Sequence, residues 1–179
     1  MSFDKLLSKI ALLFKEINVP YMLVGGFAVA YWGYPRQSLD IDIVIDLPKD
    51  KIELFMNKAS RLGFVFNKNE IKTVLKIGNR FVMELDDFRV DCWLPRSQNE
   101  KDSLVRRRKK RLFGKNLALI RAEDLVIAKL LVGRARDLED VKTVLLRQKG
   151  KLDKRSLDQR SAAFALLPLL NKLRKESYK

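Results

Sequence analysis

The sequence contains no histidine, and this absence excludes several kinds of active site. Without an imidazole, neither a Ser–His nor a Cys–His nucleophile pair can form. Zinc sites built on imidazole are excluded too, and the single cysteine, Cys92, cannot build a thiolate site or an intramolecular disulfide. Any acid–base or metal chemistry must therefore come from carboxylates, lysines, tyrosines or water.

The sequence also lacks an uninterrupted apolar run of the length that a membrane-spanning helix needs. Residues 1–17 intersperse charged side chains among the apolar ones and so lack the apolar core of a signal peptide. We therefore expect a cytoplasmic protein with no membrane partner. With 47% hydrophobic and 33% charged residues in a chain of 179, the composition is that of a folded unit with a real core.

Positive charge is concentrated in the second half of the chain. Residues 1–99 carry 14 Lys and Arg against 12 Asp and Glu, whereas residues 100–179 carry 23 against 10. Such asymmetry is typical of a surface that meets a polyanion, and a solvated basic surface with no ligand is the alternative. A dense basic run is the predicted nucleic-acid contact, and its members are Arg106, Arg107, Arg108, Lys109, Lys110 and Arg111.

Hydrophobic periodicity predicts an α+β fold, with a small mixed sheet flanked by helices and followed by a basic helical C-terminal part. We expect a catalytic core over residues 1–120 and a helical region over 121–179 packed on it. The predicted helices are 3–17, 27–32, 49–62, 122–132, 135–146 and 154–172. The predicted strands are 21–24, 39–45, 72–77, 80–85 and 88–93, with a hairpin turn at Gly78-Asn79.

Two aspartates stand inside the apolar strand predicted at 39–45. Asp40 and Asp42 are two residues apart, so both carboxylates project from one face while Ile41 and Ile43 point into the core. Adjacent like charges repel each other, and a bound cation relieves the repulsion. Carboxylates are the ligands that Mg²⁺ prefers, together with substrate phosphates. The pattern predicts a Mg²⁺ site, which Mn²⁺ could also occupy.

Two further features complete this predicted site. Asp91 lies in a later apolar strand, where a carboxylate needs a partner, and a strand next to Asp40 and Asp42 would supply one. Three carboxylates can hold two metal ions that clamp the attacking and leaving oxygens of a phosphoryl displacement. Gly25 and Gly26 end one predicted strand and open a helix, which suits a backbone cradle for a triphosphate.

These segments together resemble the nucleotidyltransferase superfamily, which has a DNA polymerase beta-like fold. The resemblance rests on the segments Gly25–Ala30 and Arg36–Asp42, on Asp91, on Ala122–Lys129 and on Arg136–Asp140. It extends over roughly residues 20–145 and points to the branch of abortive-infection toxins and minimal nucleotidyltransferases. It implies catalytic and metal-binding roles for Asp40, Asp42 and Asp91, and nucleotide-binding roles for Gly25, Gly26, Arg36, Ser38, Lys129, Asp137 and Asp140.

Several of these residues have plainer explanations that the sequence leaves open. Lys129, inside an apolar helix, could extend to the surface instead of binding a phosphate. Asp137 and Asp140 could orient Lys129 or Arg36, or form an exposed salt-bridged face with Arg134 and Arg136. Arg36 could bind phosphate or pair with Asp40 or Asp42.

The predicted function is transfer of a nucleoside monophosphate from an NTP to a hydroxyl of RNA, such as a tRNA, or of a protein. Pyrophosphate leaves, and the resemblance adds a toxin with a cognate antitoxin. The alternative is a catalytically inactive module of the same fold that binds nucleic acid or a partner protein.

Overall fold

A computed structural model describes residues 2–35 and 40–178 of the chain. The described helices are α1 (Phe3–Ile17), α2 (Gly25–Trp32), α3 (Ile52–Arg61), α4 (Lys68–Ile77), α5 (Gln98–Arg106), α6 (Ala122–Val132), α7 (Ala135–Arg147), α8 (Lys154–Ala163) and α9 (Leu167–Ser177). The strands are β1 (Tyr21–Leu23), β2 (Asp40–Ile45), β3 (Arg80–Leu85), β4 (Phe88–Trp93), β5 (Arg108–Leu112) and β6 (Lys115–Leu119). A short 3-10 turn, Lys49–Lys51, leads into α3.

The strands form one mixed sheet in the order β3-β4-β2-β1-β6-β5. β2 runs parallel to β4, and β1 runs parallel to β6. The other neighbouring strands are antiparallel, and β3–β4 and β5–β6 are hairpins. The predicted α+β class with a small mixed sheet flanked by helices is confirmed.

The alternation along β2 explains why helices cover both faces of the sheet. Ile41, Ile43 and Ile45 are at most 1% exposed and pack into a core cluster with α1 and α3. Val44 points the other way, into a second cluster built with α2, α6 and α7. The face that carries Val44 also carries Asp40 and Asp42, because side chains alternate along a strand.

α1 shows how local sequence sets the first layer. Its apolar residues recur at helical spacing and are buried, and they are Leu6, Leu7, Ile10, Leu13, Phe14 and Ile17. The helix ends at Asn18, which adopts the left-handed conformation with φ 49°, and Pro20 follows before β1. Asparagine tolerates this conformation better than most residues, so the chain can turn there into the sheet.

The predicted strand at 72–77 and its turn at Gly78-Asn79 are wrong, because that segment belongs to α4. The Asn67 side chain caps α4 by accepting hydrogen bonds from the amides of Asn69 and Glu70. Such a cap stabilises a helix start by about 1 kcal/mol. The hairpin partner of β3 is β4, and the turn between them lies at Asp86-Asp87.

The helix predicted over 154–172 is in fact two helices. α8 ends at Phe164, and Ala165 adopts the left-handed conformation with φ 57°. Pro168 then lies in the first turn of α9, where its missing N–H breaks no helical hydrogen bond. A continuous helix would have placed this proline in its interior. Of the helices in the described residues, none is both long and apolar enough to cross a membrane.

Candidate active site

The register between β2 and β4 brings the predicted carboxylates together. Asp42 is paired with Asp91 across the two parallel strands, and Asp40 is paired with Arg89. Paired residues on neighbouring strands share a sheet face, so Asp40, Asp42 and Asp91 lie on the same face. Trp93, two residues beyond Asp91, extends this row and is paired with Val44.

Asp91 is held by two arginines. The residue is 6% exposed, and its Oδ1 accepts hydrogen bonds from Arg80 Nη1 at 3.0 Å and from Arg89 Nη2 at 3.2 Å. Arg80 also lies over the Trp93 ring, with its guanidinium carbon 5.4 Å from the ring centroid. Partners of this kind offset the free-energy cost of burying a carboxylate.

Asp42 has a different environment. Its Oδ1 accepts a hydrogen bond from Trp93 Nε1 at 3.2 Å. Burial raises the pKa of the Asp42 carboxyl, the charges of Asp91 and Asp40 raise it further, and the Trp93 bond and the positive charge of Lys129 oppose the rise only in part. Asp42 is thus a carboxylate whose negative charge is stabilised incompletely by the protein itself.

The start of α2 is in direct contact with Asp42. Gly25 has φ +58°, and a Cβ placed on it would lie only 2.0 Å from Asp42 Oδ2. The amide of Val24 donates to the Asp42 carbonyl at 2.9 Å, and Gly26 lies buried in the first turn of α2. Only glycine fits at position 25, and the N-terminal amides of α2 therefore lie beside the carboxylate. A helix N-terminus favours an anion such as a phosphate.

Lys129 on α6 forms a buried cluster with two aspartates of α7. Its Nζ contacts Asp137 Oδ1 at 2.7 Å and Asp140 Oδ2 at 2.9 Å. Asp137 also binds Arg134 Nε at 2.7 Å. Burial opposes ionisation of Asp137, but the bonds from Arg134 and Lys129 outweigh it and hold the pKa of Asp137 below its ordinary value.

This cluster answers the alternatives that the sequence left open for these residues. The Lys129 side chain is only 12% exposed, so it does not extend to the surface. Asp137 and Asp140 are 1% and 4% exposed and do not form a solvated face. The positive charge of Lys129 lowers the pKa of Asp42, although less than burial, Trp93, Asp91 and Asp40 change it. Arg36 and Ser38, the other predicted nucleotide contacts, lie outside the described residues.

The basic run does not form a single surface. Arg106 Nη2 contacts the buried Asp124 at 2.8 Å, so this arginine neutralises a core carboxylate. Arg107 donates to the Leu104 carbonyl at 2.6 Å. Arg108, Lys109, Lys110 and Arg111 lie in β5, which the sequence did not predict, and Lys110 lies over the Trp32 ring at 5.3 Å.

The same fold occurs in several solved structures. A crystal structure of ANT(2″)-Ia in complex with adenylyl-2″-tobramycin aligns over 90% of this chain and 96% of its own, at a TM-score of 0.62 and 16% identity. The lincosamide antibiotic adenylyltransferase LnuA, bound to lincomycin, aligns over 80% of this chain and 96% of its own, at a TM-score of 0.53 and 17% identity. An antigenic nucleotidyltransferase-like protein from Paracoccidioides brasiliensis aligns over 96% of this chain and 92% of its own, at a TM-score of 0.50 and 16% identity. This chain has the nucleotidyltransferase fold.

No protein-family model and no curated protein matches the sequence. The nucleotidyltransferase fold predicted from the motifs is confirmed, and membership of the toxin branch stays a prediction. At identities of 16 and 17%, the likeness establishes the fold, and the activity has to be inferred from the site itself.

The donor set suits a hard divalent cation. Asp40, Asp42 and Asp91 offer carboxylate oxygens from one face of two adjacent strands, and the raised pKa of Asp42 reflects burial and then the repulsion among them. A cation there would relieve that repulsion. Within residues 2–35 and 40–178, no three Asp, Glu or Cys side chains are arranged so that together they could coordinate a metal ion. Asp91 Oδ1 accepts hydrogen bonds from two guanidinium groups, so a cation could bind that oxygen only after these bonds rearrange.

Sequence analysis missed Arg80 and Arg89 as members of this site in the nucleotidyltransferase fold. The signal was present, because Arg89, Asp91 and Trp93 follow one another at every second position of β4. The alternation rule that grouped Asp40 with Asp42 also groups these three. Arg80 required the β3–β4 register, where it is paired with Trp93, and that register was obscured by the wrongly placed hairpin turn.

Proposed function

We propose that the protein transfers a nucleoside monophosphate from an NTP to an acceptor hydroxyl and releases pyrophosphate. The observation that carries this proposal is the contact of Gly25 with Asp42, which sets an anion-binding helix N-terminus against an incompletely stabilised carboxylate. A triphosphate could bind the amides of this helix N-terminus, and a cation could bind the adjacent carboxylate. The nucleotidyltransferase fold supports the same reaction.

Each residue has a role that its position suits. The amides at Gly25 and Gly26 would bind the triphosphate. Lys129, which is ion-paired with Asp137 and Asp140, is proposed with these two aspartates as a further part of the nucleotide site. Arg36 and Ser38 are proposed as further nucleotide contacts on the strength of the resemblance alone. Catalysis of this kind depends on positioning and on charge stabilisation.

Asp40 and Asp42 would hold Mg²⁺, with Asp91 as a further ligand if its bonds to Arg80 and Arg89 rearrange. Bound Mg²⁺, as one or two ions, supplies charge neutralisation at the phosphate oxygens. Asp91 would help to activate the acceptor hydroxyl by accepting its proton. Mn²⁺ would serve in place of Mg²⁺.

The acceptor that we favour is RNA, such as a tRNA. The support is the charge of residues 100–179, where Lys and Arg number 23 and Asp and Glu number 10. A protein hydroxyl is the next acceptor to test. The comparison structures hold adenylyl-2″-tobramycin and lincomycin, so a small-molecule hydroxyl also belongs in the assay. A toxin role with a cognate antitoxin would follow from RNA modification that arrests growth.

The test is incubation with each NTP labelled at its alpha phosphate, together with Mg²⁺ and separate pools of RNA, protein, tobramycin and lincomycin. We expect label in RNA from one preferred NTP, with loss of label when a chelator removes the metal. The matched control is Asp40→Ala/Asp42→Ala, which should lower the label by about 1,000-fold, with circular dichroism to check that it is folded. Equal labelling by this variant would refute the proposed site.

A specific observation favours the second candidate, a catalytically inactive module. Both guanidinium groups on Asp91 Oδ1 would have to release it before a metal could use that oxygen. If no NTP labels any pool, while the protein still binds RNA or a partner protein, the inactive module becomes the better description.

A further inference from the structure

A basic cleft lies between α1 and the β5–β6 hairpin, away from the carboxylates. Its volume is about 740 Å³. α1 packs on the sheet face that carries Ile41, Ile43 and Ile45, opposite to the face of Asp42. β5 is the edge strand, three positions from β2 in the sheet, or about 15 Å at the usual strand spacing.

The charged residues that line this cleft are all positive. They are Lys9, Lys15, Arg107, Lys109 and Lys115, and no Asp or Glu occurs among the described lining residues. Such a group of like charges repels itself, so a ligand of opposite charge is what would stabilise it. Asn18 and Asn116 add side-chain amides that can donate hydrogen bonds to phosphate oxygens.

Three of these cations are available to a ligand. Lys9 Nζ donates to the Leu62 carbonyl at 2.7 Å, and Arg107 is bonded to its own helix end. Lys15, Lys109 and Lys115 are exposed, and their side chains take part in no ion pair or hydrogen bond among the described residues. Flexible, separated ammonium groups suit a row of phosphates better than a single phosphate, which forked or buried donors would hold.

We propose that this cleft binds the phosphodiester backbone of single-stranded RNA. Leu12, which is 42% exposed, gives the cleft an apolar wall that an unpaired base can pack against, whereas a duplex turns its bases inward. The inference deepens the proposed function and rests on it for the choice of RNA, since the cleft gives the acceptor a docking surface separate from the reacting groups. Binding there does not require catalysis.

The test is fluorescence anisotropy with a labelled single-stranded RNA oligonucleotide and the full chain carrying Asp40→Ala/Asp42→Ala, over a salt series. On that background, Lys15→Gln/Lys109→Gln/Lys115→Gln should weaken binding by at least about tenfold at roughly 0.15 M salt. The slope of log affinity against log salt should fall by about 2, since each single-strand phosphate contact contributes about 0.7.

The matched control removes the same charge elsewhere in the basic half. Lys154→Gln/Lys172→Gln/Lys175→Gln changes three exposed lysines of α8 and α9. We expect its RNA affinity to stay within about twofold of the parent, beyond the small effect of net charge. Equal weakening by both triple variants would overturn the cleft as the binding site, and so would the absence of RNA binding by the parent.

A DNA oligonucleotide of the same sequence tests whether the cleft binds a phosphodiester backbone regardless of the sugar. Binding of both, lost in the cleft variant, supports a backbone site, while binding of DNA alone overturns the proposal. Circular dichroism of each variant establishes that it is folded. If the cleft variant loses RNA binding but no NTP is ever transferred, the proposed function fails and the cleft stands. If a nucleotide is transferred to RNA but the cleft variant binds RNA as the parent does, the cleft proposal fails and the proposed function stands.

Discussion

Two clusters of acidic side chains in this molecule differ in how their charges are stabilised. The aspartates of α7 are nearly buried, whereas in the strand cluster Asp91 is nearly buried, Asp42 is half-buried and Asp40 is exposed. In the helix cluster (Lys129, Arg134, Asp137 and Asp140), cations bind the aspartates directly. In the strand cluster (Asp40, Asp42 and Asp91), Asp91 has two arginines, but Asp42 has the Trp93 N–H as its hydrogen-bond donor. The pKa of Asp137 is lowered although burial alone would raise it. The pKa of Asp42 is raised, and burial is the largest cause.

The difference indicates which cluster stabilises the fold and which one is left for a ligand. An ion-paired carboxylate lowers the free energy of the folded state only while its partners remain. A carboxylate with a raised pKa carries a cost that a bound cation would remove. Stability measurements can therefore separate the two clusters without any assay of activity.

The largest effect is expected from Lys129→Met. This change leaves Asp137 and Asp140 buried beside an apolar side chain, and breaking a buried ion pair in this way costs about 3 kcal/mol. Urea denaturation at neutral pH should show the loss as a lower midpoint with an unchanged slope. The matched control is Lys142→Met, whose ion pairs with Glu139 and Glu176 lie at the solvent-exposed surface and contribute little to stability, so this variant should lose far less. Similar losses for the two variants would contradict the distinction.

A smaller effect of opposite sign is expected at Asp42. Asp42→Asn removes a charge that the site does not fully stabilise, keeps an oxygen for the Trp93 N–H, and should stabilise the metal-free protein by about 1 kcal/mol. Asp91→Asn should instead destabilise it by about 1 kcal/mol, because two arginines lose a charged acceptor. Thermal unfolding with and without Mg²⁺ tests both, and Mg²⁺ should raise the midpoint of the parent but not of Asp42→Asn. A less stable Asp42→Asn protein would argue against this account.

The smallest effect is the dependence of these differences on pH. The lowered pKa of Asp137 contributes stability above its ordinary value of 3.8, and this contribution is lost as pH falls through the folded-state pKa. The raised pKa of Asp42 works the other way, since its cost is absent below 3.8 and appears as pH rises through the folded-state pKa.

The free energy of unfolding, measured as the pH is lowered, tests the direction of both effects. Asp137→Asn should lose less stability than the parent as the solution is acidified. The advantage of Asp42→Asn should shrink over the same range. Parallel curves for the parent and both variants would show that neither carboxylate changes its protonation behaviour on folding.

The sequence predicted those parts of the fold whose signals are local. The apolar spacing of α1 and the alternation in β2 each identified an element and its buried face. The segment of α4 misled the analysis because Gly78-Asn79 has the composition of a hairpin turn, whereas the Asn67 cap favours a helix before it. β5 was missed because a strand made of Arg and Lys has no apolar alternation to detect.

The site divides in the same way. Asp40 and Asp42 were paired from their spacing alone, but the pairing of Asp42 with Asp91 depends on how two distant strands align. The arginines on Asp91 follow from that alignment, and the burial of Lys129 follows from the packing of α6 against α7. A one-residue shift in strand register would have moved Asp91 to the opposite face, and the sequence alone does not fix that register.

The contact at Gly25 has a further consequence for how such a site can change. Because the Gly25 backbone meets the Asp42 carboxylate there, position 25 cannot carry a side chain unless that carboxylate or the start of α2 moves. The half of the site that would hold the nucleotide is thus constrained at this contact. The half formed by Arg80, Arg89 and Trp93 consists of side chains on an edge hairpin, where replacements leave the backbone in place. Substitutions on that hairpin can therefore change the side chains around Asp91 without disturbing the contact between Gly25 and Asp42.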